Sequence, residues 1–374
     1  MNALNGWEFD VADTALARAI RADSTFALAH YKRALLHGWS KKNLTDTSDE
    51  HSARLAARYG TRLPQRERGI VDAYLSVTLG MNSAFRGDTA NARANLAAAQ
   101  QKYAALLARD STDAEAWYGL GDAHFHSPSA TVTETSTKWT HALRAFNRTL
   151  ALDSTFHLAY PHTLQIYNTA ATQNQGVILV GDSIIGFDSR AASETYGRER
   201  ILEASLKARV RAAQEARRWV DTDPDAAEAH LALADAYVAS NDPAAAASAL
   251  RHAMTRPRVR APDIPYKIAT LELVSGKPEV ALATLRDAMR RYGADSLSAR
   301  GGLRLFPTLA GSATVAAHAG SIADMNAVFA LIERVTPTLP LPRTSSGSTD
   351  QRVHTELCCA QPSRDGHRAA EGAQ

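Results

Sequence analysis

The residues with the clearest capacity for chemistry lie far apart in the chain. Val177-Ile178-Leu179-Val180-Gly181-Asp182-Ser183-Ile184 sets a serine just beyond an apolar run and a glycine. A strand can deliver a nucleophilic hydroxyl in such a setting, provided that a base and oxyanion donors stand near it. No run before or after it reads as a strand, so a short strand or helix in an insert is the expected role. Ser275-Gly276-Lys277 is followed by Pro278, and no earlier glycine stands where a phosphate loop needs one. It reads as a turn, with Pro278 opening the next helix. His124, His126, His141, His157, His162 and His230 do not form His-Glu-x-x-His or another chelating pair. Cys358 and Cys359 are adjacent and have no partner elsewhere, so neither a disulfide framework nor a zinc site follows from them. No metal or cofactor is expected. Lys207, Arg211 and Arg218 share a face with Glu203 and Glu215, while Arg256, Arg258 and Arg260 cluster near a junction. Both read as solvated surface, without the aromatics that stack bases.

The elements carrying these residues follow from composition and repetition. The 374 residues are 45% apolar but only 7% aromatic, and alanine is abundant. Small side chains and strong helix propensity favour closely stacked helices over a sandwich or barrel. A net charge of +3 is too diffuse for a dedicated nucleic-acid binder, and none is expected as a partner. No apolar run approaches a membrane span, and MNALNGWEFD lacks the regions of a signal peptide. The chain is expected to be cytoplasmic, or extracytoplasmic if a longer parent carries an upstream span.

Self-similarity is the dominant signal. Asp23-Ser24-Thr25-Phe26-Ala27-Leu28-Ala29-His30 recurs as Asp153-Ser154-Thr155-Phe156-His157-Leu158-Ala159-Tyr160. Shorter copies run from Asp110 to Trp117 and from Asp223 to His230. In each, Ser, Thr or Asp is expected to cap the helix that follows.

The spacing resembles the tetratricopeptide repeat: Trp, Leu three later, Gly next, Tyr three later, Ala nine later, Phe four later, Ala three later, Pro five later. His230, Leu233, Ala234, Tyr237, Ala246, Leu250, Ala253 and Arg258 follow it without a gap. Trp117, Leu120, Gly121 and His124 begin another copy, which resumes after an insertion with Ala142, Phe146, Thr149 and Ser154. Ile268, Ala269, Ala281, Leu285, Ala288 and Gly293 form a weaker one. Second-helix halves appear as Ala12, Leu16, Ala19, Ser24 and as Ala212, Ala216, Trp219, Pro224. Trp117 and Phe146 are expected in the core, and the small residues where helices cross.

The resemblance implies an all-α, right-handed solenoid of helical hairpins over residues 1–335. An extra hairpin is expected at about 40–90, with Ile70, Tyr74, Val77 and Met81 as its apolar stripe, and an irregular insert at about 170–205. Residues 336–374 are rich in Pro, Ser, Thr, Gly and Arg and read as a disordered tail. Residues 9–22 look like a second helix without its first, so either Gly6 to Phe9 covers the end or an upstream domain is missing.

Such a solenoid presents a concave surface to a protein or peptide. Counting from the repeat anchors, its lining candidates are Tyr31, Lys32, Tyr118, Asp122, His126, His162, Gln165, Asn168 and Asp235. The resemblance thus implies a non-catalytic binding scaffold. With Leu63-Pro64-Gln65-Arg66-Glu67-Arg68, the pattern also resembles repeat regions of larger bacterial signalling proteins, kinases and transcriptional regulators among them. Kinase signatures themselves do not occur. The run ending in Ser183 resembles the first block of GDSL-type serine esterases, a remote third reading. That family's late Asp-x-x-His is not matched by Asp350 and His354, which are spaced differently.

Overall fold

A computed structural model of the chain describes residues 9–40, 46–187, 197–256, 261–298 and 305–335. Gly6, Arg258, Arg260, Asp350, His354, Cys358, Cys359 and the whole of 336–374 lie outside the described residues.

Among the described residues there are sixteen α-helices and one small hairpin of strands. In chain order they are α1 (Phe9–Ala22), α2 (Ala27–Ser40), α3 (Ser48–Tyr59), α4 (Gln65–Phe85), α5 (Thr89–Leu107), α6 (Ala114–Phe125), α7 (Val132–Leu152) and α8 (Ala159–Thr172). After β1 (Val177–Val180) and β2 (Ser183–Gly186) come α9 (Gly197–Thr222), α10 (Ala227–Ala239), α11 (Pro243–Met254), α12 (Ile264–Val274), α13 (Pro278–Arg291), α14 (Ala294–Ser298), α15 (Phe306–His318) and α16 (Ile322–Val335). The first helices pack chiefly on the next, α2 on α3, α4 on α5, α6 on α7, α8 on α9, α10 on α11 and α12 on α13, while α15 packs on both α16 and α12. The result is a solenoid of seven helical hairpins, with α1 against α2 at one end.

The repeated turn explains the regularity. Asp23 accepts from the Thr25 amide at 2.8 Å and the Thr25 hydroxyl at 2.7 Å. Asp110 and Thr112, and Asp153 and Thr155, do the same, and Asp223 accepts from the Asp225 amide at 3.3 Å. These aspartates therefore fold the turn on itself instead of capping the following helix as expected. Asp113 is the exception, accepting from the Ala116 amide at the start of α6. The anchor residues lock the turn from the other side. His30 bonds the Ser24 carbonyl, Trp117 the Ser111 carbonyl, Tyr160 the Ser154 carbonyl and His230 the Pro224 carbonyl, all six residues back and 2.9–3.1 Å away. Four side chains of three kinds satisfy the equivalent orphan carbonyl, which is why the anchor tolerates His, Trp and Tyr.

Two expectations about the inserts resolve differently. Residues 40–90 do not form a self-contained extra hairpin. Leu63-Pro64, in extended backbone, separates α3 from α4, and each helix finds its main partner outside the segment. The period is regular there. The irregular segment between α8 and α9 contains an antiparallel β-hairpin, with Val177 opposite Gly186 and Val180 opposite Ser183. Thr140 on α7 pins it, donating to the Ile184 carbonyl at 3.0 Å and accepting from the Ile184 amide at 2.8 Å.

One apolar core runs from Ala12 to Ile268, and a second from Tyr266 to Val335. At Gly121 an added methyl would come within 2.7 Å of the Phe146 ring, so glycine is required by the α6–α7 crossing.

Candidate functional site

Successive first helices, α2, α4, α6, α8 and α10, contact one another and form a continuous face. Its N-terminal part is a charge network centred on Glu115 at the start of α6. Lys32 of α2 reaches Glu115 at 2.5 Å, and the Tyr31 hydroxyl donates to it at 3.0 Å. Arg66 of α4 grips Asp113 with two bonds of 2.6 and 2.8 Å and reaches Glu115 at 3.0 Å. Burial pushes the Glu115 carboxyl up, but Lys32, Arg66 and Tyr31 together hold it below the usual glutamate range. Three first helices are thus tied by one carboxylate. The Arg66 of the Leu63–Arg68 motif acts in this tie.

Deeper along the groove lies an aromatic plug. Trp39 at the end of α2 donates to the Tyr118 hydroxyl at 3.2 Å. Its ring also lies 4.8 Å from that of His162 on α8. Phe125 approaches the same imidazole at 4.3 Å, and Phe146 stacks on it at 5.4 Å with planes 9° apart. Burial pulls the His162 pKa down to about 3 against the opposing pull of Asp122, so the ring is neutral. Asp122 is buried, and its Oδ1 lies 3.3 Å from His126 Nε2 and 4.0 Å from His162 Nδ1. Burial alone would raise the Asp122 carboxyl, but His126 and His162 outweigh it and hold it low.

Beyond the plug the groove opens. Between α8 and α10 is a cleft of about 550 Å³, with Trp219 of α9 among its walls. Pro161, Leu164, Leu231 and Ala232 give it apolar surface, while Gln165, Asn168, Glu228 and Asp235 supply polar groups. The Asn168 Oδ1 is buried without a hydrogen-bond partner. Burial raises the Asp235 carboxyl, with Lys267 pulling the other way.

The nine lining candidates therefore fall in two places. Tyr31, Lys32, Tyr118, Asp122, His126 and His162 gather in the plugged part, where Tyr31 and Lys32 engage Glu115, Tyr118 accepts from Trp39, and Asp122 faces His126 and His162. Gln165, Asn168 and Asp235 gather on the open cleft. Glu115 and Arg66 escaped the sequence reading because charged residues at helix starts read as solvated. Asp122 and His126 stand four apart on one helix, a spacing that could have marked them as a carboxylate–histidine pair. Phe146 is fully buried as expected, whereas Trp117 is only half-buried and spends its indole N–H on the turn. Ser183 begins β2 of the two-stranded hairpin, not a wide sheet, and its hydroxyl accepts from Arg144 at 3.2 Å.

Residues 86–131 match the tetratricopeptide repeat family. No curated protein matches the chain. A solved monomeric mutant of IFIT1 with Gppp-AAAA is 15% identical, covering 88% of this chain and 68% of that one at a TM-score of 0.50. A human IFIT1 dimer with m7Gppp-AAAA is 16% identical over 87% and 67% of the two chains, at 0.49. A tetratricopeptide repeat protein from Parabacteroides merdae is 15% identical over 83% and 98%, at 0.34. At 15% identity the first of these likenesses is one of fold alone. No helix among the described residues is long and apolar enough to cross a membrane.

Proposed function

We propose that this chain, a tetratricopeptide-repeat protein, is a non-catalytic scaffold that holds a peptide segment of a protein partner in the cleft between α8 and α10. The observation carrying this reading is the cleft itself: about 550 Å³ of open concave volume with apolar walls and convergent polar groups. Leu164, Leu231 and Trp219 suit an apolar side chain. Gln165 and Asn168 suit a peptide backbone, and Glu228 and Asp235 suit a basic residue of the partner. The same carboxylates oppose an RNA strand. The cleft lining, among the described residues, contains no lysine or arginine to neutralise phosphates. The Gppp-AAAA held by IFIT1 is therefore a poor guide to the ligand here.

The experiment is capture of partners by the full chain, with Leu231→Arg as the blocking variant. Leu231 is partly buried on the cleft wall at the edge of the core, so arginine there places a long charged side chain in the cleft. A partner that binds the wild type through this cleft is lost by the folded variant. Retention of every partner by folded Leu231→Arg would remove the cleft from consideration.

A further inference from the structure

We propose that Asp122, His126 and His162 form a binding site for one divalent transition-metal ion of the zinc class. The three side chains offer a carboxylate oxygen and two imidazole nitrogens, whose ligand atoms all lie within 4.8 Å of one another. Two imidazoles and one carboxylate are a donor set that zinc accepts, with bonds of about 2.0–2.2 Å and one position left for water. Donors around a tetrahedral ion at those bond lengths stand roughly 3.4 Å apart. Asp122 Oδ1 already meets that spacing with His126 Nε2, at 3.3 Å, and is near it with His162 Nδ1, at 4.0 Å.

The second observation is His162. Its Nδ1 is buried, has no hydrogen-bond partner and faces Asp122. Leaving a buried imidazole nitrogen unsatisfied costs free energy. Aromatic rings enclose it, and a bound ion would supply the partner that His162 Nδ1 lacks. Phe125, Phe146 and Trp39 pack around the His162 ring and fix its orientation. A preset ligand of this kind lowers the entropic cost of binding. His126 provides the adjustable part. It is the C-cap residue just past the end of α6, and its side chain is 26% exposed. The ion therefore enters from the groove, past His126. It would link α6 to α8, two successive first helices of the solenoid.

The test uses the full chain carrying Cys358→Ser and Cys359→Ser, because adjacent thiols bind zinc on their own. The protein is stripped with chelator, then titrated with Zn²⁺ by calorimetry and with Co²⁺ by visible absorbance. One ion per chain is expected, with the absorbance of tetrahedral cobalt. His126→Gln, on a partly exposed residue, weakens binding at least about 10-fold, since even outer-shell losses cost that much. Asp122→Asn and His162→Gln do the same. His141→Gln, on a histidine that pairs with His124 instead, leaves it unchanged. Circular dichroism checks the fold of each variant. No stoichiometric binding would overturn the proposal, and so would binding that survives His126→Gln or disappears with His141→Gln.

Discussion

The hairpins before α9 and those after it share one repeat but treat the inner face in opposite ways. In the first part the groove is filled. Trp39, Tyr118, Phe125 and His162 meet across three first helices, and Glu115 ties α2 and α4 to α6. In the second part, α10 offers Leu231, Ala232 and Asp235 to the groove, and α11 packs beneath it largely through alanines, so a cleft remains. The difference teaches that backbone repetition sets the curve, while the size of a few inward side chains decides whether the curve is a core or a binding surface.

Four tests probe that contrast, in decreasing order of expected effect. Phe146 is fully buried in the filled part, and Phe146→Ala is expected to cost about 3–5 kcal/mol. Leu250, its counterpart in the alanine-rich part, should cost less, about 2–4 kcal/mol, as Leu250→Ala. Urea unfolding of both variants measures the difference, and equal losses would erase the distinction between the two regions.

Gly119 comes next. A methyl at Gly119 would overlap the Tyr103 ring, which is itself fully enclosed and cannot retreat cheaply. Gly119→Ala should lose about 1–3 kcal/mol by overpacking. A neutral outcome in the same unfolding assay would mean that the α5–α6 contact is looser than the structure gives.

The third is Glu115→Gln, expected to cost about 1–2 kcal/mol at neutral pH, because the carboxylate is 18% exposed and partly screened. It also carries a pH signature. The folded pKa of Glu115 lies below the ordinary 4.5, so its stabilisation is present above about 4.5 and is lost as pH falls through the lower folded value. Thermal melts from pH 7 to pH 3 should therefore fall less steeply for Glu115→Gln than for the wild type. Parallel slopes would show that Lys32 and Arg66 are solvated rather than paired.

Smallest in stability is Leu231→Arg, expected to cost about 1 kcal/mol because Leu231 lines the cleft and packs only partly against the core. Its effect belongs to binding. A large loss of melting temperature would instead place Leu231 in the core and close the cleft.

Much of the fold was legible because it is local. The Asp-Ser-Thr turns and the anchors six residues after the Ser or Pro position use contacts within a few residues, so their recurrence in sequence is recurrence in structure. Their detailed role was not legible. An aspartate before a helix fits both a cap and a self-closed turn, and only the backbone geometry separates them. The 40–90 segment misled for a related reason. Two consecutive helices look like one hairpin unless their partners are known, and α3 and α4 each belong with a different neighbour.

The site divides along the same line. The offsets from the anchors selected Gln165, Asn168 and Asp235, which line one cleft, because equivalent positions on stacked helices face the same way. They also selected Tyr31, Tyr118 and His162, but offsets carry no information about how closely α2 approaches α6 and α8. By itself the sequence determined the helices and the recurring turns between them, since these depend on propensity and spacing along the chain. Only the tertiary structure decided which inward positions fill one another and which stay open. That outcome depends on distances between helices far apart in sequence. It is these distances that bring Trp39 against His162, and His162 against Asp122 and His126.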